Sequence, residues 1–272
     1  MSHQKTRAVK SSISLAVLLL SLSSVGLFAC DNKPAEGTTL APTASALAAA
    51  KPKAASAKKF TVDKSSSKIE FMMEAPQEVI RGRVAGAATG EIQVDPSDIT
   101  KTTGLFSVDI SGIELYQKVA DDSGKFSDEK KSDLQNEHAR TWLEISPDAP
   151  EDVRKKNSRV EFSIASVETA GEKDMSKLSG PSRKASVKAK GEFLLHGHKT
   201  EKTAELEVVF HYEGENLTSV SIKSIKPYAV GLAEHDVRPR DKFGSLAQKT
   251  LEVLSPKVAK EALVSVEFSA KP

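Results

Sequence analysis

Two adjacent stretches of the chain alternate strictly between apolar and polar residues, and this pattern restricts the possible folds more than any other feature. In the stretch 187–196, VKAKGEFLLH, every second residue from Val187 to Leu195 is apolar or small. The stretch 204–210, AELEVVF, alternates in the same way after a polar turn at 197–199. Because successive side chains of a strand point to opposite faces, alternation on both sides of a turn predicts an antiparallel hairpin with one buried face.

Shorter segments of the same kind recur along most of the chain. In each of them apolar residues alternate with mostly polar ones, so that each segment has an apolar face. There is no regular succession of strands and long helices, which argues against a parallel sheet and for antiparallel strands in a barrel or a sandwich. The predicted strands lie at residues 69–74, 91–95, 106–111, 160–164, 220–222 and 264–268.

Two connections have a different pattern and predict short helices. The segment 117–145 is densely charged at first and ends with NEHARTWLEI, and we expect its residues Leu134, Trp142 and Ile145 to pack against the strands. The segment 246–263 has widely spaced apolar residues and predicts a helix that is interrupted by its proline, because proline lacks the N–H that a helix interior needs. The predicted fold class is therefore all-β, with one or two short helices in the connections.

The N-terminus has the organisation of a bacterial lipoprotein signal peptide. Lysine and arginine residues precede an apolar, serine-rich core, and the sequence LFAC ends with Cys30, the only cysteine of the chain. A plain secretory signal peptide or a retained transmembrane helix is the alternative for such a segment, but a cysteine at the cleavage point favours lipidation of Cys30. We predict a lipoprotein signal peptide at 1–29, a disordered tether rich in Ala, Pro and Lys at 30–59, and a β-barrel domain at 60–270.

Lipidation would determine where the protein is located. A lipid on Cys30 would anchor the chain to a membrane, so the expected location is the bacterial cell envelope, facing the periplasm. Asp31 resembles an inner-membrane retention signal of enteric bacteria, and the choice between the inner and outer membrane stays open. With Cys30 consumed, no thiol remains for a disulfide, a metal site or a nucleophile. The formal net charge of +2, with lysines and glutamates interspersed, does not indicate nucleic-acid binding.

Several motifs, in a fixed order along the chain, resemble the YceI-like family of lipocalin-like barrels from the bacterial envelope. The most specific motif is G-x-F-x-L-H-G-x-x-T, which spans the turn of the predicted hairpin at 191–200. The motifs that precede it are FTVD at 60–63, a glycine-containing strand pair at 81–96, NEHAR at 136–140 and VEF at 160–162.

The resemblance implies a lipocalin-like antiparallel β-barrel that binds a polyisoprenoid or another long amphipathic lipid, with no cofactor. The chain departs from the family at Ala139, where leucine is usual, and in its long segment 235–258, so the identity of the lipid does not carry over. Inward-facing apolar residues would line the lipid tunnel, although from the residues alone they could instead fill a solid core. The predicted ligand-binding residues are Ile69, Phe71, Phe106, Val108, Ile110, Phe162, Ile164, Phe193, Leu195, Val208, Phe210, Ile222, Val266 and Phe268.

Two other classes of function are alternatives. The histidines His196, His198 and His211, with Glu201, come close to a metal-binding pattern, but the spacing is one residue short of the cupin motif and His211 falls on the polar face of its strand. The barrel could also be an interaction module of the envelope that binds no small ligand. No motif of a hydrolase, a zinc protease or a nucleotide-binding enzyme is present. We therefore predict a protein that is not an enzyme, and assign no metal site.

The predicted anchor is tested by replacing Cys30 with serine. The thioether to the lipid needs the sulfur of Cys30, so the Cys30→Ser variant is expected to lose labelling by a palmitate analogue and to accumulate as the uncleaved precursor. Asn32→Ser, two residues further on, is the matched control and is expected to be labelled like the wild type. Normal processing and membrane partitioning of Cys30→Ser would contradict the lipoprotein assignment.

Overall fold

The structure is a computed structural model that describes residues 39–238 and 259–272. Within these ranges the chain forms one antiparallel sheet of twelve strands and two α-helices, and no helix there is long and apolar enough to cross a bilayer. The predicted signal peptide, Cys30 and most of the predicted helix at 246–263 lie outside the described residues. The elements are β1 (Lys58–Ala75), β2 (Glu78–Ala85), β3 (Ala88–Val94), β4 (Thr103–Asp109), β5 (Glu114–Val119), β6 (Lys130–Lys131), α1 (Asp133–Trp142), α2 (Glu151–Asn157), β7 (Arg159–Thr169), β8 (Ser182–Leu195), β9 (His198–Glu213), β10 (Asn216–Ser224), β11 (Tyr228–Gly231) and β12 (Glu261–Lys271).

Eight of the strands close into a ring, which confirms the predicted antiparallel lipocalin-like barrel. The order around the ring is β1-β12-β10-β9-β8-β7-β4-β3, and β3 pairs with β1 again. The register of β1 shifts between Asp63 and Lys68, so its first part pairs with β3 and its second part with β2. The end of the predicted helix at 246–263 is wrong, because Ala262 and Leu263 belong to β12. Closure of the ring removes the free sheet edges that would otherwise pair with another chain.

The predicted hairpin is confirmed as β8 and β9, which pair over their whole length. The turn consists of His196 and Gly197, whose φ angles are 51° and 75°. Positive φ at both central residues is the type I′ geometry that follows the twist of a hairpin, and histidine is among the residues that tolerate it. The turn is shorter than the predicted 197–199, because His198 and Lys199 already pair with β8.

The barrel interior is tightly filled at one end, which we call the filled end. The side chains of Phe60, Ile92 and Met175 are at most 1% exposed there, and the remaining void is only about 40 Å³. Arg183 lies at this end with its guanidinium 3.8 Å from the centre of the Tyr212 ring, and it donates a hydrogen bond to the carbonyl of Met175. Burying a cation is costly unless such partners compensate its charge. With them, Arg183 can be part of the packed interior at the filled end.

The helix α1 is attached to the barrel by a buried asparagine. Asn136 accepts a hydrogen bond from the N–H of Leu115 in β5 at 2.9 Å. Ala139 and Leu143 follow at helical spacing and pack on the same apolar cluster of the barrel. The predicted helix is confirmed, but the expected packing of Leu134 is wrong: its side chain is 60% exposed, because it lies outside the face that contains Asn136, Ala139 and Leu143.

Part of the predicted tether is docked on the outside of the barrel, so the prediction of disorder is wrong for this part. We call residues 39–53 the strap. The N–H of Ala44 donates to the carbonyl of Gly197 at 2.8 Å, and the N–H of Leu47 donates to the carboxylate of Glu161 at 2.6 Å. The Leu47 side chain is only 7% exposed. The strap therefore covers the outer face of β7 and the β8–β9 turn.

The strap is held mainly through backbone groups. The hydroxyl of Ser163 donates to the carbonyl of Ala48 at 2.7 Å, and the Glu161 carboxylate that accepts from the strap also pairs with Arg159. Every residue except proline carries both a backbone donor and an acceptor, so the composition of the tether does not reveal this docking. The barrel domain also begins slightly earlier than predicted, at Lys58.

Replacing Leu47 with alanine is expected to loosen the strap. Truncating a buried leucine typically costs ~2–5 kcal/mol, but the strap can detach by itself, so we expect faster hydrogen exchange at the Ala44 and Leu47 amides with little change in global unfolding. Leu40→Ala is the matched control, because Leu40 lies on the same strap and is 38% exposed. Unchanged protection of these amides in Leu47→Ala, measured by hydrogen exchange, would show that the strap is not docked through Leu47.

Candidate functional site

The barrel interior contains an apolar cavity of about 200 Å³. Every strand of the ring contributes at least one side chain to its wall, and β11 adds Tyr228 and Val230. The helix α1 contributes Ala139, Trp142 and Leu143. Nearly all atoms of the wall are hydrocarbon, so the cavity favours the burial of an apolar ligand.

All predicted ligand-binding residues except Val208 and Phe210 lie on the wall of this cavity. Val208 and Phe210 do face inward on β9, but they lie at the filled end, where they border the smaller void. The sequence does not distinguish the two places, because alternation predicts the face of a strand and not the depth of a residue along the barrel. The predicted residues found on the wall are Ile69, Phe71, Phe106, Val108, Ile110, Phe162, Ile164, Phe193, Leu195, Ile222, Val266 and Phe268.

The wall also contains residues that the sequence analysis missed. Met73, Val160 and Val264 lie on the apolar faces of strands that the sequence predicts, but they were not included among the ligand-binding residues. Tyr228 comes from a strand of only four residues, which is too short to show a period.

Large side chains of the wall are only partly buried, although they point into the barrel. Phe106, Phe162 and Val266 belong to this group, in contrast to the fully buried side chains of the filled end. Their exposed surface faces the cavity. The apolar space among these side chains is about 200 Å³. Protein interiors are normally close-packed, so a void of this size indicates a binding site.

The position of one aromatic wall residue depends on a glycine. Phe71 in β1 lies directly opposite Gly82 in β2. A Cβ atom at position 82 would lie 2.0 Å from the Phe71 ring, so only glycine leaves room for the ring in this place. The glycine of the Arg81-Gly82-Arg83 motif is therefore part of the architecture of the cavity.

Few polar atoms lie near the wall. Glu161 borders the cavity, but its carboxylate is engaged by Leu47 of the strap and by Arg159. Tyr228 differs, because burial alone raises the pKa of its phenol, and no hydrogen bond of its hydroxyl is found within the described ranges. A phenol that keeps its proton can donate a hydrogen bond.

A buried histidine supports the wall from behind. His235 is completely buried, and its Nδ1 lies 3.1 Å from the carbonyl oxygen of His198 and 3.3 Å from that of Leu195. Its ring contacts Phe193 edge-on at a centroid distance of 5.6 Å. Burial lowers the pKa of His235, and the nearby Glu234 carboxylate opposes this effect only in part. The imidazole is therefore neutral near pH 7, and its Nδ1–H can donate to these carbonyls.

The three histidines of the alternative metal pattern are not brought together. His196 Nε2 lies 3.1 Å from a carboxylate oxygen of Glu144, and His198 Nδ1 lies 2.7 Å from a carbonyl oxygen of the strap. His211 Nε2 lies 2.9 Å from the hydroxyl of Ser221. Across the part of the chain that the structure describes, no group of three or more His, Cys, Asp or Glu side chains could hold a metal ion. Each histidine has its own separate partner.

A second depression of about 570 Å³ lies on the surface beside α1. It is lined mainly by polar and charged side chains, and two of them, Lys131 and Glu114, form an ion pair. It is larger than the interior cavity, but its lining is mainly polar, whereas that of the interior cavity is almost wholly apolar. Small-molecule sites are lined predominantly by apolar side chains, as the interior cavity is.

The chain matches no protein-family model, and no curated protein is significantly similar to it in sequence. Among solved structures, it is similar to a polyisoprenoid binding domain from Saccharophagus degradans implicated in plant cell wall breakdown, with 12% identity and a TM-score of 0.48, over 78% of this chain and 97% of that one. It is also similar to BcnA from Burkholderia cenocepacia, with 13% identity and a TM-score of 0.45, over 76% of this chain and 98% of that one. The barrel itself rests on the strand pairing described above.

Proposed function

We propose that the protein binds one polyisoprenoid or other long-chain amphipathic lipid inside its barrel, and sequesters or carries it without catalysis. The observation that carries this proposal is the interior cavity, whose wall consists almost entirely of hydrocarbon side chains from the whole ring. Burying apolar ligand surface in such a wall contributes ~25 cal/mol per Å². Binding of this kind needs few polar contacts, in keeping with the composition of the wall.

The size of the cavity favours a slender and flexible ligand. Its volume of about 200 Å³ is below the ~300–1,000 Å³ of typical small-molecule pockets. A single alkyl or isoprenoid chain can enter such a space, whereas a rigid fused-ring lipid would have to widen the barrel. Close-packed strands resist widening, because it would break ladder hydrogen bonds and core contacts.

The groups at the wall support binding and not catalysis. Acid–base chemistry needs a titratable group within hydrogen-bond reach of the substrate. The carboxylate of Glu161 is engaged by the strap and by Arg159, and the phenol of Tyr228 retains its proton. This arrangement is suited to holding a ligand unchanged.

We further propose that binding takes place at the bacterial envelope, on the periplasmic side, with a lipid on Cys30 as the anchor. Docking of the strap shortens the length of chain between Cys30 and the barrel. The first described residue, Thr39, is about nine residues from Cys30, a distance of at most ~30 Å in an extended chain. A barrel held this close to the membrane is in reach of the lipids that it is proposed to bind.

Enlarging a wall residue tests the proposal. Val266→Phe places a ring in the cavity, so we expect at least a tenfold loss of affinity for a fluorescent polyisoprenoid analogue, with the free energy of unfolding changed by less than ~1 kcal/mol because the ring fills a void. Val266 is suited to this because it is half-buried on the wall. Affinity is measured by titration and stability by urea unfolding.

Val62→Phe is the matched control at the filled end. Val62 is 7% exposed and borders neither void. Overpacking there is expected to cost ~1–3 kcal/mol and to leave binding in place. If Val266→Phe were destabilised as much as Val62→Phe, and if binding of the analogue by the wild type were absent, the interior would be a filled core and the protein an interaction module of the envelope.

A further inference from the structure

The hydroxyl of Tyr228 is a polar group in an otherwise hydrocarbon part of the wall. Tyr228 and Val230 both border the cavity, and Ala229 between them is exposed, so the inner face of β11 carries the tyrosine. The ring lies edge-on to Phe193 at a centroid distance of 6.2 Å, and the backbone pairs with Val264 of β12. These neighbours hold the phenol in place at the wall.

This hydroxyl makes no hydrogen bond within residues 39–238 and 259–272. Burial is the only influence on its acidity, and it raises the pKa of the phenol, so the group stays neutral and protonated. Tyr228 is only partly buried, and it brings a hydroxyl to a wall that phenylalanine could build from hydrocarbon alone. The phenol is therefore available to donate a hydrogen bond to a ligand in the cavity.

We propose that Tyr228 donates a hydrogen bond to a neutral oxygen of the bound lipid, and thereby selects chains that carry a carbonyl or ether oxygen over bare hydrocarbon chains. The inference rests on the proposed lipid-binding function and specifies its ligand class. None of the described residues that line the cavity is a lysine, an arginine or a histidine. An anionic headgroup inside would lose its hydration without gaining a counter-charge, so phosphate or carboxylate groups stay outside the cavity.

The experiment compares matched twelve-carbon chains on the full-length protein. Binding of 2-dodecanone and of dodecane is measured by displacement of N-phenyl-1-naphthylamine from the wild type and from Tyr228→Phe. The ratio of the two affinities cancels the contribution of the shared chain. One neutral hydrogen bond corresponds to about fivefold, so we expect the preference for the ketone to fall about fivefold in Tyr228→Phe. Tyr228→Phe should be at least as stable as the wild type, because the hydroxyl has no partner among the residues that the structure describes.

Tyr116→Phe is the matched control, since its hydroxyl lies 3.1 Å from the Glu114 carboxylate and it does not border the cavity. It is expected to keep the wild-type preference for the ketone. If both chains bind but the ratio is the same in Tyr228→Phe and the wild type, the hydrogen bond is refuted while lipid binding stands. If neither chain binds the wild type, both proposals fail. Tighter binding of ionised dodecanoate than of 2-dodecanone at pH 7.5 would refute the selection of a neutral oxygen.

Discussion

The pairing of β1 with β12 is the interaction on which the rest of the structure depends. These strands are the first and the last of the described chain, and their antiparallel register closes the ring. Ile69 and Val266 lie directly opposite each other in this register, and both face the cavity. The closure that removes the sheet edges therefore also completes the wall. Without it, the same side chains would form an exposed apolar face and enclose nothing.

One end of the barrel interior contributes stability, and the rest leaves space for a ligand. At the filled end the side chains are closely packed, among them the fully buried Phe60 and Arg183, which is buried against the ring of Tyr212. In the rest of the interior the packing is incomplete, so folding leaves some apolar contacts unmade. A ligand that fills the space makes these contacts, and they then contribute to the free energy of binding. On the outside of the barrel, the strap donates a hydrogen bond to the carboxylate of Glu161, which also pairs with Arg159. This buried carboxylate next to the wall therefore has its partners within the protein. This division explains how a hollow barrel can still be a stable domain.

The faces of the strands could be predicted from the sequence because alternation is a property of each strand by itself. The depth of Val208 and Phe210 could not, because it depends on where the neighbouring strands begin and end. The strap docks through backbone groups that every sequence has, and β11 is too short for its Tyr228 to show a pattern. The packing of Leu134 could not be predicted correctly, because the face of α1 that contacts the barrel contains the polar residue Asn136 and not the leucine. The lipid anchor and the ligand class stay predictions from motifs.

The central claim is that a lipid occupies the barrel, and mass spectrometry of the protein purified from its native host tests it most directly. An organic extract of the purified protein is compared with an extract of the membranes of the same cells. The account predicts one long-chain lipid class, approaching one molecule per protein chain and enriched far above its share of the membrane. An extract without lipid, or one whose composition matches that of the membrane, would contradict it.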